Sequence, residues 1–467
     1  MKKAQLPTLL VLALFLFSLK AIAGDLIFSK QEFAQRRSNL MESIPDGIAI
    51  IRGADLPTGY SLYSQNNDFM YFTGVNIPGA VLIMDGKTRE STIFFTISET
   101  VARGEGIDME LVNNTTAATG IEHVAPYEAF TPALNRFSRT HAVFYTSFLP
   151  QEVGREAATE KLGFLRSQVV MNEWDGRLTR EQQFARLLKE RFPNVEVKDC
   201  AKAIIDLRVI KSPAEIEVMK KAGALGVKAL TEAMRATRVG MYEYEVAGIF
   251  EYYCKKGGAR DIAYNTIISS DENHPYLHYY KHDRLLKDGD FLVIDAGPDV
   301  DYYDTDITIS YPANGKFTPR QREFYTACYE IQEACKRFLK AGRTRTEVGK
   351  LAREYLISKG IDVNHRDYQA LSRGLDNGAI THYVGMAVHD SGGGPADMPF
   401  QAGMVIAIDV YSGTIDENMG VRVEDTVLIT EEGCENLSPG MARTIEDIEA
   451  LMKQDGVAQA LKDKGIY

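Results

Sequence analysis

Four carboxylates stand inside or at the ends of apolar segments in the second half of this chain. Asp295 ends the segment Phe291-Leu-Val-Ile, and Asp409 ends Val405-Ile-Ala-Ile. Asp306 precedes Ile-Thr-Ile, and Glu424 lies deep in an alternating apolar run. Such segments are typical of buried strands. A carboxylate buried in a sheet is costly unless it is paired or bound to a metal, so the fold must supply each of these acids with a partner.

Asp295 and Asp306 are eleven residues apart, and the segment between them, residues 296–305, contains glycine and proline. We interpret it as a hairpin connection, which would place Asp295 and Asp306 on neighbouring strands about 5 Å apart. Metal ions are a common way to hold two such carboxylates together. The alternative is a solvated acidic loop, because the connection carries three more aspartates: Asp299, Asp301 and Asp304.

Two histidines, His382 and His389, lie in a stretch interrupted by glycine, where each is a candidate ligand or a hydrogen-bonded structural residue. Glu424 stands two positions after Arg422 in a predicted strand, so both side chains point to the same face. A plain salt bridge between Arg422 and Glu424 is therefore the alternative to metal binding at that position.

In chain order, these residues form the pattern Asp–x10–Asp, His, acid, Glu, which resembles the "pita-bread" metallopeptidases of family M24. Three further stretches resemble the Xaa-Pro aminopeptidase and prolidase branch: Arg208 with Lys211-Ser-Pro-Ala-Glu-Ile, Tyr311-Pro with Gly315-Lys-Phe-Thr, and Glu435-Asn-Leu-Ser. The resemblance is specific over residues 205–455. It is looser in the N-terminal part, where Tyr71-Phe-Thr-Gly-Val carries it.

The resemblance implies two divalent metal ions held by five ligands: Asp295, Asp306, His382, Asp409 and Glu424. Asp306 and Glu424 would bridge both ions. Three other residues would orient the substrate, stabilise the tetrahedral intermediate or support the ligands: His278, His389 and Arg422. Carboxylates and imidazole suit Mn²⁺, with Co²⁺, Zn²⁺ or Fe²⁺ as the other candidates.

We expect an α+β protein with two domains. Residues 24–204 are predicted to form a mixed α/β, creatinase-like N-terminal domain, and residues 205–467 the pita-bread domain. The implied activity is that of an Xaa-Pro aminopeptidase, which releases the N-terminal residue from peptides with proline second. Two alternatives stay open: a dipeptidase that accepts only Xaa-Pro, and a non-catalytic peptide-binding protein with a weakened metal site.

The sequence departs from the family pattern at two positions. Asp409, followed by Val-Tyr, stands where the family usually has glutamate followed by Pro-Gly. Aspartate is one methylene shorter, so its carboxylate would lie on the order of 1 Å further back, a displacement that can cost about 10²-fold in rate. Gly378 stands where a histidine often precedes the ligand histidine by four residues.

Residues 1–23 have the pattern of a cleaved signal peptide: Lys2 and Lys3, an apolar run and Ala21-Ile-Ala. We therefore expect an exported protein, periplasmic or secreted, without stable membrane insertion after cleavage. A formal net charge of −11 argues against nucleic acid as a partner. By analogy with its relatives, the chain is expected to form a homo-oligomer, either a dimer or a tetramer.

Overall fold

The structure of this chain, a computed structural model, contains two sheet-based domains. It describes residues 26–465 apart from 58, 60–61, 152–157, 378–379, 391–397 and 415–416. The predicted signal peptide and Gly378 therefore lie outside the described residues. The two-domain α+β class is confirmed. The domain limits stay predictions, and residue 204 falls within a helix that follows the first sheet.

The first domain is built on a six-stranded mixed sheet in the order β4-β3-β2-β1-β5-β6. Its strands β1–β3 form an antiparallel meander, and the other pairs are parallel. The strands are β1 Gly47–Arg52, β2 Val81–Asp85, β3 Ser91–Phe94, β4 His123–Ala125, β5 Val143–Thr146 and β6 Glu196–Asp199. β1, the central strand, is almost wholly buried, as its run of apolar residues requires.

Nine helices of the described chain belong to the first domain or follow it directly. They are α1 Lys30–Ser43, α2 Asn67–Thr73, α3 Glu99–Gly104, α4 Met109–Asn113, α5 Thr115–Thr119, α6 Phe130–Phe137, α7 Ala158–Phe164, α8 Arg180–Arg191 and α9 Ala201–Val209. Ser29 caps α1, since its side chain accepts a hydrogen bond from Glu32 N. α9 leads from the first sheet to the second domain.

The second domain is built on an antiparallel sheet in the order β13-β14-β15-β12-β9-β8, with β16 paired to β15. Its strands are β8 Ile267–Ser270, β9 Phe291–Asp295, β12 Thr308–Pro312, β13 Thr381–Tyr383, β14 Val405–Thr414, β15 Met419–Ile429 and β16 Cys434–Asn436. A small sheet beside it contains β7 Asp261–Ile262, β10 Pro298–Val300 and β11 Tyr303–Asp304.

The helices of the second domain, apart from the last one, contribute buried residues to the same apolar cluster as the second sheet. They are α10 Pro213–Ala236, α11 Glu243–Lys256, α12 Pro319–Phe338, α13 Arg345–Ser358, α14 Arg366–Leu371, α15 Arg373–Asn377, α16 Ile445–Met452 and α17 Val457–Asp463. The start of α10 has a local cause in the sequence. Ser212 and Glu215 form a reciprocal capping box, and Pro213 occupies the first turn.

Of two expectations about the connection between Asp295 and Asp306, one needs correction and one needs an addition. Asp306 was expected to begin a strand, but β12 starts at Thr308. The connection is predicted to be a hairpin, and β9 and β12 do pair as antiparallel neighbours. The connection also forms β10 and β11, however, which pair with each other, and β10 pairs with β7. The added strands satisfy backbone groups that a buried loop would otherwise leave unpaired.

Within the part of the chain that the structure describes, no helix is both long and apolar enough to cross a membrane.

Gly297 is the residue of this connection that most restricts substitution. A Cβ atom at Gly297 would lie 1.7 Å from the backbone oxygen of Thr305. We expect Gly297→Ala to lower the free energy of unfolding by roughly 1–3 kcal/mol, because the backbone of Thr305 must move. The measurement is urea unfolding of the variant and of Gly248→Ala, its control. Gly248 lies on the exposed face of α11 with open space around it, so the control should be neutral or slightly stabilising. Equal unfolding free energies for the two variants would contradict this account.

Candidate metal centre

The register of the second sheet places three predicted ligands in one row. Thr308 of β12 lies opposite Asp295 of β9 on one side and opposite Glu424 of β15 on the other. Glu424 in turn lies opposite Asp409 of β14. Residues opposite one another on neighbouring strands point to the same face of a sheet. The antiparallel register therefore brings Asp295, Glu424 and Asp409 to one face.

Asp306 joins this row from its position just before β12. Its backbone N–H donates to the Thr426 hydroxyl at 2.9 Å, and that hydroxyl donates back to the Asp306 carbonyl at 2.9 Å. Asp295, Asp306 and Glu424 each offer a carboxylate oxygen within 4.8 Å of the other two, and all three are buried. Three buried carboxylates at this separation form a first candidate cation position.

A second candidate position adjoins the first. His382, on β13, brings Nε2 to 3.2 Å from Glu424 Oε1 and 3.5 Å from Asp306 Oδ2. His389 packs against it, with ring centroids 4.2 Å apart. Asp306, His382 and His389 have potential ligand atoms within 4.8 Å of one another. Because Asp306 belongs to both groups, the arrangement suits two cations that share a carboxylate.

The electrostatics of the protein alone disfavour these charges. Burial raises the pKa of Asp306 well above its usual range, and the negative charge of Asp295 adds to the shift. Burial likewise raises the pKa of Glu424, with repulsion from Asp306 as the next cause. A divalent cation between the carboxylates would remove this repulsion, since a bound ion is often the largest local charge in its site.

Asp409 stands apart from the other predicted ligands. Its side chain is in neither of the two groups of potential ligands found among the described residues. Its Oδ1 atom is buried without a hydrogen-bond partner in that part of the chain, 3.8 Å from Arg422 Nε. Burial raises the pKa of Asp409 to about 6, while Arg422 acts in the opposite direction. A buried acceptor without a donor, beside carboxylates and imidazoles, fits a divalent metal that needs oxygen and nitrogen ligands.

Arg422 forms an ion pair with Asp295 rather than the salt bridge with Glu424 that was the alternative to metal binding. Its Nη1 atom forms an ion pair with Asp295 Oδ2, and its guanidinium also lies over the ring of Tyr411 at 4.9 Å. Asp295 thus receives a cationic donor on one oxygen. The arginine contacts a predicted ligand, and its supporting role in the site stays a prediction.

Two supporting residues were missed by the sequence analysis. The Tyr264 hydroxyl lies 2.5 Å from Asp295 Oδ1 and also hydrogen-bonds Asp306 Oδ1. Arg443 donates to the Glu424 carbonyl at 2.6 Å and to Asp425 Oδ1 at 2.5 Å. Tyr264 lies just after β7, where no pattern of charges or spacing marks it. Arg443 lies beyond the strands that carry the predicted ligands, where no sequence pattern marks it.

His278 is not brought into the ligand groups. It lies on the exposed segment between β8 and β9, and its ring stacks on Tyr280 with centroids 6.4 Å apart. The same segment borders a cavity of about 510 Å³ through Tyr276 and Leu277. Asp409 and Arg422 also line this cavity, so it lies beside the candidate metal centre.

Comparison with known proteins is consistent with this geometry. Residues 217–431 match metallopeptidase family M24, and residues 33–145 match the aminopeptidase P N-terminal domain. The Xaa-Pro aminopeptidase of Escherichia coli is 31% identical, with 91% of this chain and 98% of that protein aligned. A human Xaa-Pro dipeptidase is 27% identical, with 90% and 93% aligned. The E. coli aminopeptidase P solved with the inhibitor Pro-Leu superposes with a TM-score of 0.72 at 28% identity, covering 91% of this chain and 98% of that one.

Because Asp409 Oδ1 has no hydrogen-bond donor among the described residues, we make a prediction about the length of the side chain at this position. We expect Asp409→Glu to bind Mn²⁺ as tightly as the unmodified chain or more tightly, because the added methylene moves the carboxylate towards the other ligands. The measurement is calorimetric titration of metal-free protein. Asp367→Glu is the matched control, since Asp367 is also buried but pairs with Arg320. A tenfold or greater loss of affinity confined to Asp409→Glu would show that the local backbone is built around aspartate.

Proposed function

The chain belongs to metallopeptidase family M24, and we propose that it is a dinuclear aminopeptidase that removes the N-terminal residue from peptides with proline second. The observation that carries this proposal is the convergence of Asp295, Asp306 and Glu424 beside His382, with Asp306 common to both groups. An arrangement of this kind is suited to peptide hydrolysis because two neighbouring ions can act on one water and one carbonyl.

The ligands divide between two positions in this proposal. Asp295 would hold one ion, His382 and Asp409 the other, and Asp306 and Glu424 would bridge the two. When bound, the ions lower the pKa of a shared water and polarise the scissile carbonyl. The residues suit Mn²⁺ as the working ion, as they suit other hard or borderline divalent metals.

The remaining polar residues of the site hold or orient these groups. Arg422 and Tyr264 both contact the Asp295 carboxylate, so its orientation is fixed from two sides. Thr308 Oγ1 donates to Glu424 Oε2 at 2.8 Å and fixes a second ligand. His389 lies beside His382, where its imidazole can donate a hydrogen bond to an oxyanion that forms on the attacked carbonyl. His278 would orient the substrate from the exposed segment.

The preference for proline is supported by the relatives rather than by a contact within this chain. The similar proteins include an Xaa-Pro aminopeptidase, an Xaa-Pro dipeptidase and an aminopeptidase P that binds Pro-Leu. The cavity beside Asp409 has apolar walls that include Ile267, Val293 and Ile380. It has room for an amino-acid side chain of the peptide next to the reacting bond.

The site is also proposed to work outside the cytoplasm and in an oligomer. The signal-peptide pattern of residues 1–23 supports export with cleavage after Ala23. The family resemblance supports a dimer or tetramer. Intact mass of the product secreted by a bacterial host tests the first point, since the exported chain should begin at Gly24.

The function is tested by measuring bound metal per chain together with turnover in added Mn²⁺. The substrates are an Xaa-Pro-Xaa tripeptide, an Xaa-Pro dipeptide and an otherwise identical tripeptide with alanine second. We expect up to two ions per chain and cleavage of the proline tripeptide after its first residue. Glu424→Gln should abolish turnover and lower the metal content, because the proposed bridging charge is lost.

Three results would change the assignment. Cleavage of the dipeptide alone would favour a prolidase, and equal cleavage of the alanine peptide would remove proline from the proposal. Metal-free protein without turnover, even with excess Mn²⁺, would favour the non-catalytic peptide-binding alternative.

A further inference from the structure

A buried row of charges connects the first domain to the loop that carries His389. Arg208, on α9, donates from Nη1 to Asp68 Oδ1 at 2.7 Å and from Nη2 to Asp390 Oδ1 at 2.5 Å. The three side chains are at most 8% exposed. Asp68 lies in the first turn of α2, and Asp390 directly follows His389. We call Asp68, Arg208 and Asp390 the charge bridge.

The loop after β13 closes on the side chain of Asp390. Met386 N donates to Asp390 Oδ2 at 3.2 Å, and Asp390 N donates to the Tyr383 carbonyl at 2.9 Å. A Cβ atom at Gly385 would lie 2.2 Å from Asp390 Oδ2. The carboxylate therefore packs directly against the backbone at the start of the loop and connects it to the residue that follows His389.

The first domain contacts the same loop at a second point. Asn67 Nδ2 donates to the Met386 carbonyl at 2.7 Å. Asn67 is fully buried, and Phe69 and Met70 of α2 belong to the same apolar cluster as Val384 and Met386. One short helix of the first domain thus supports the loop through a neutral hydrogen bond, an ion pair mediated by Arg208, and apolar packing.

A buried charge network gives no advantage in stability over apolar packing for joining two domains. Well-packed apolar residues of the same volume are often as stabilising as a buried ion pair, or more so. Directional contacts do fix geometry, and a displacement of about 1 Å near the reacting atoms can cost about 10²-fold in rate. The charge bridge ends one residue from His389, whose ring lies 4.2 Å from that of His382.

We propose that the charge bridge positions His389 for the reaction, so that Asp68 is a positioning residue contributed by the N-terminal domain. Asp68 acts through Arg208 and Asp390 rather than by contact with the substrate. The inference rests on the function proposed above, in which His389 stabilises the oxyanion.

The test compares Asp68→Ala with Tyr71→Phe in the full chain. The Tyr71 hydroxyl donates to the Leu207 carbonyl at 3.1 Å, so Tyr71→Phe also removes a contact between α2 and α9 but leaves the charge bridge intact. We expect Asp68→Ala to lower kcat by tenfold or more, with KM and metal per chain nearly unchanged. Asp68→Asn, which keeps an acceptor oxygen, should lose less. Tyr71→Phe should keep the kcat of the unmodified chain.

A second measurement does not depend on turnover. Hydrogen exchange of peptides that cover residues 383–390 should become faster in Asp68→Ala and stay unchanged in Tyr71→Phe, because the loop loses its support only in the first variant. This measurement tests the positioning of the loop independently of the proposed function. If the unmodified chain shows no turnover, the proposed function is wrong, but the exchange rates still show whether Asp68 holds the loop.

A double-mutant cycle with His389→Ala completes the test. If Asp68 acts through His389, Asp68→Ala should cause no further loss of the residual kcat in the His389→Ala background. Additive losses would overturn the inference. So would equal falls in kcat for Asp68→Ala and Tyr71→Phe, unchanged exchange of the loop in Asp68→Ala, or faster exchange without a change in kcat.

Discussion

Repulsion among buried carboxylates is the constraint on which the second domain depends. Asp295, Asp306 and Glu424 lie within ligand distance of one another on one face of a sheet that helices cover. Protein groups offset this repulsion only in part. Arg422 pairs with Asp295, the Tyr264 hydroxyl hydrogen-bonds Asp295, and Thr308 donates to Glu424. Bound metal ions would neutralise the negative charge that remains. The repulsion among the carboxylates therefore underlies both the structure of the site and its proposed chemistry.

The antiparallel pairing of the strands brings residues that are distant in the sequence together in this cluster. Thr308 stands between Asp295 and Glu424 in the row, although Glu424 is more than a hundred residues further along the chain. A shift of one residue in either pairing would move a carboxylate to the opposite face. The register is held by long apolar strands such as β15, whose eleven residues are all buried. The position of the acids is therefore a consequence of core packing.

Features with local causes were predictable from the sequence, and features that depend on distant contacts were not. The bounds of β9 agree with the prediction, because an apolar run that ends in aspartate is a local signal. Most of the short helices in the first domain were missed, since packing rather than periodicity defines them. The predicted ligand set rests on a family resemblance, and the structure brings four of its five residues into the two groups of potential ligand atoms. Tyr264 and Asp68 required the structure, because their partners lie elsewhere in the chain and nothing in their own neighbourhood marks them.

The contacts of Arg443 have a consequence for the order of events during synthesis. Its guanidinium neutralises Asp425 and binds the Glu424 carbonyl, so β15 reaches its final environment only when residue 443 is available. The first domain, in contrast, is complete about two hundred residues earlier in the chain, and domains tend to fold in the order of synthesis. A growing chain would therefore hold a folded N-terminal domain while its ligand strands were still incomplete. Metal uptake would then be among the last steps of maturation, after most of the polypeptide had been made.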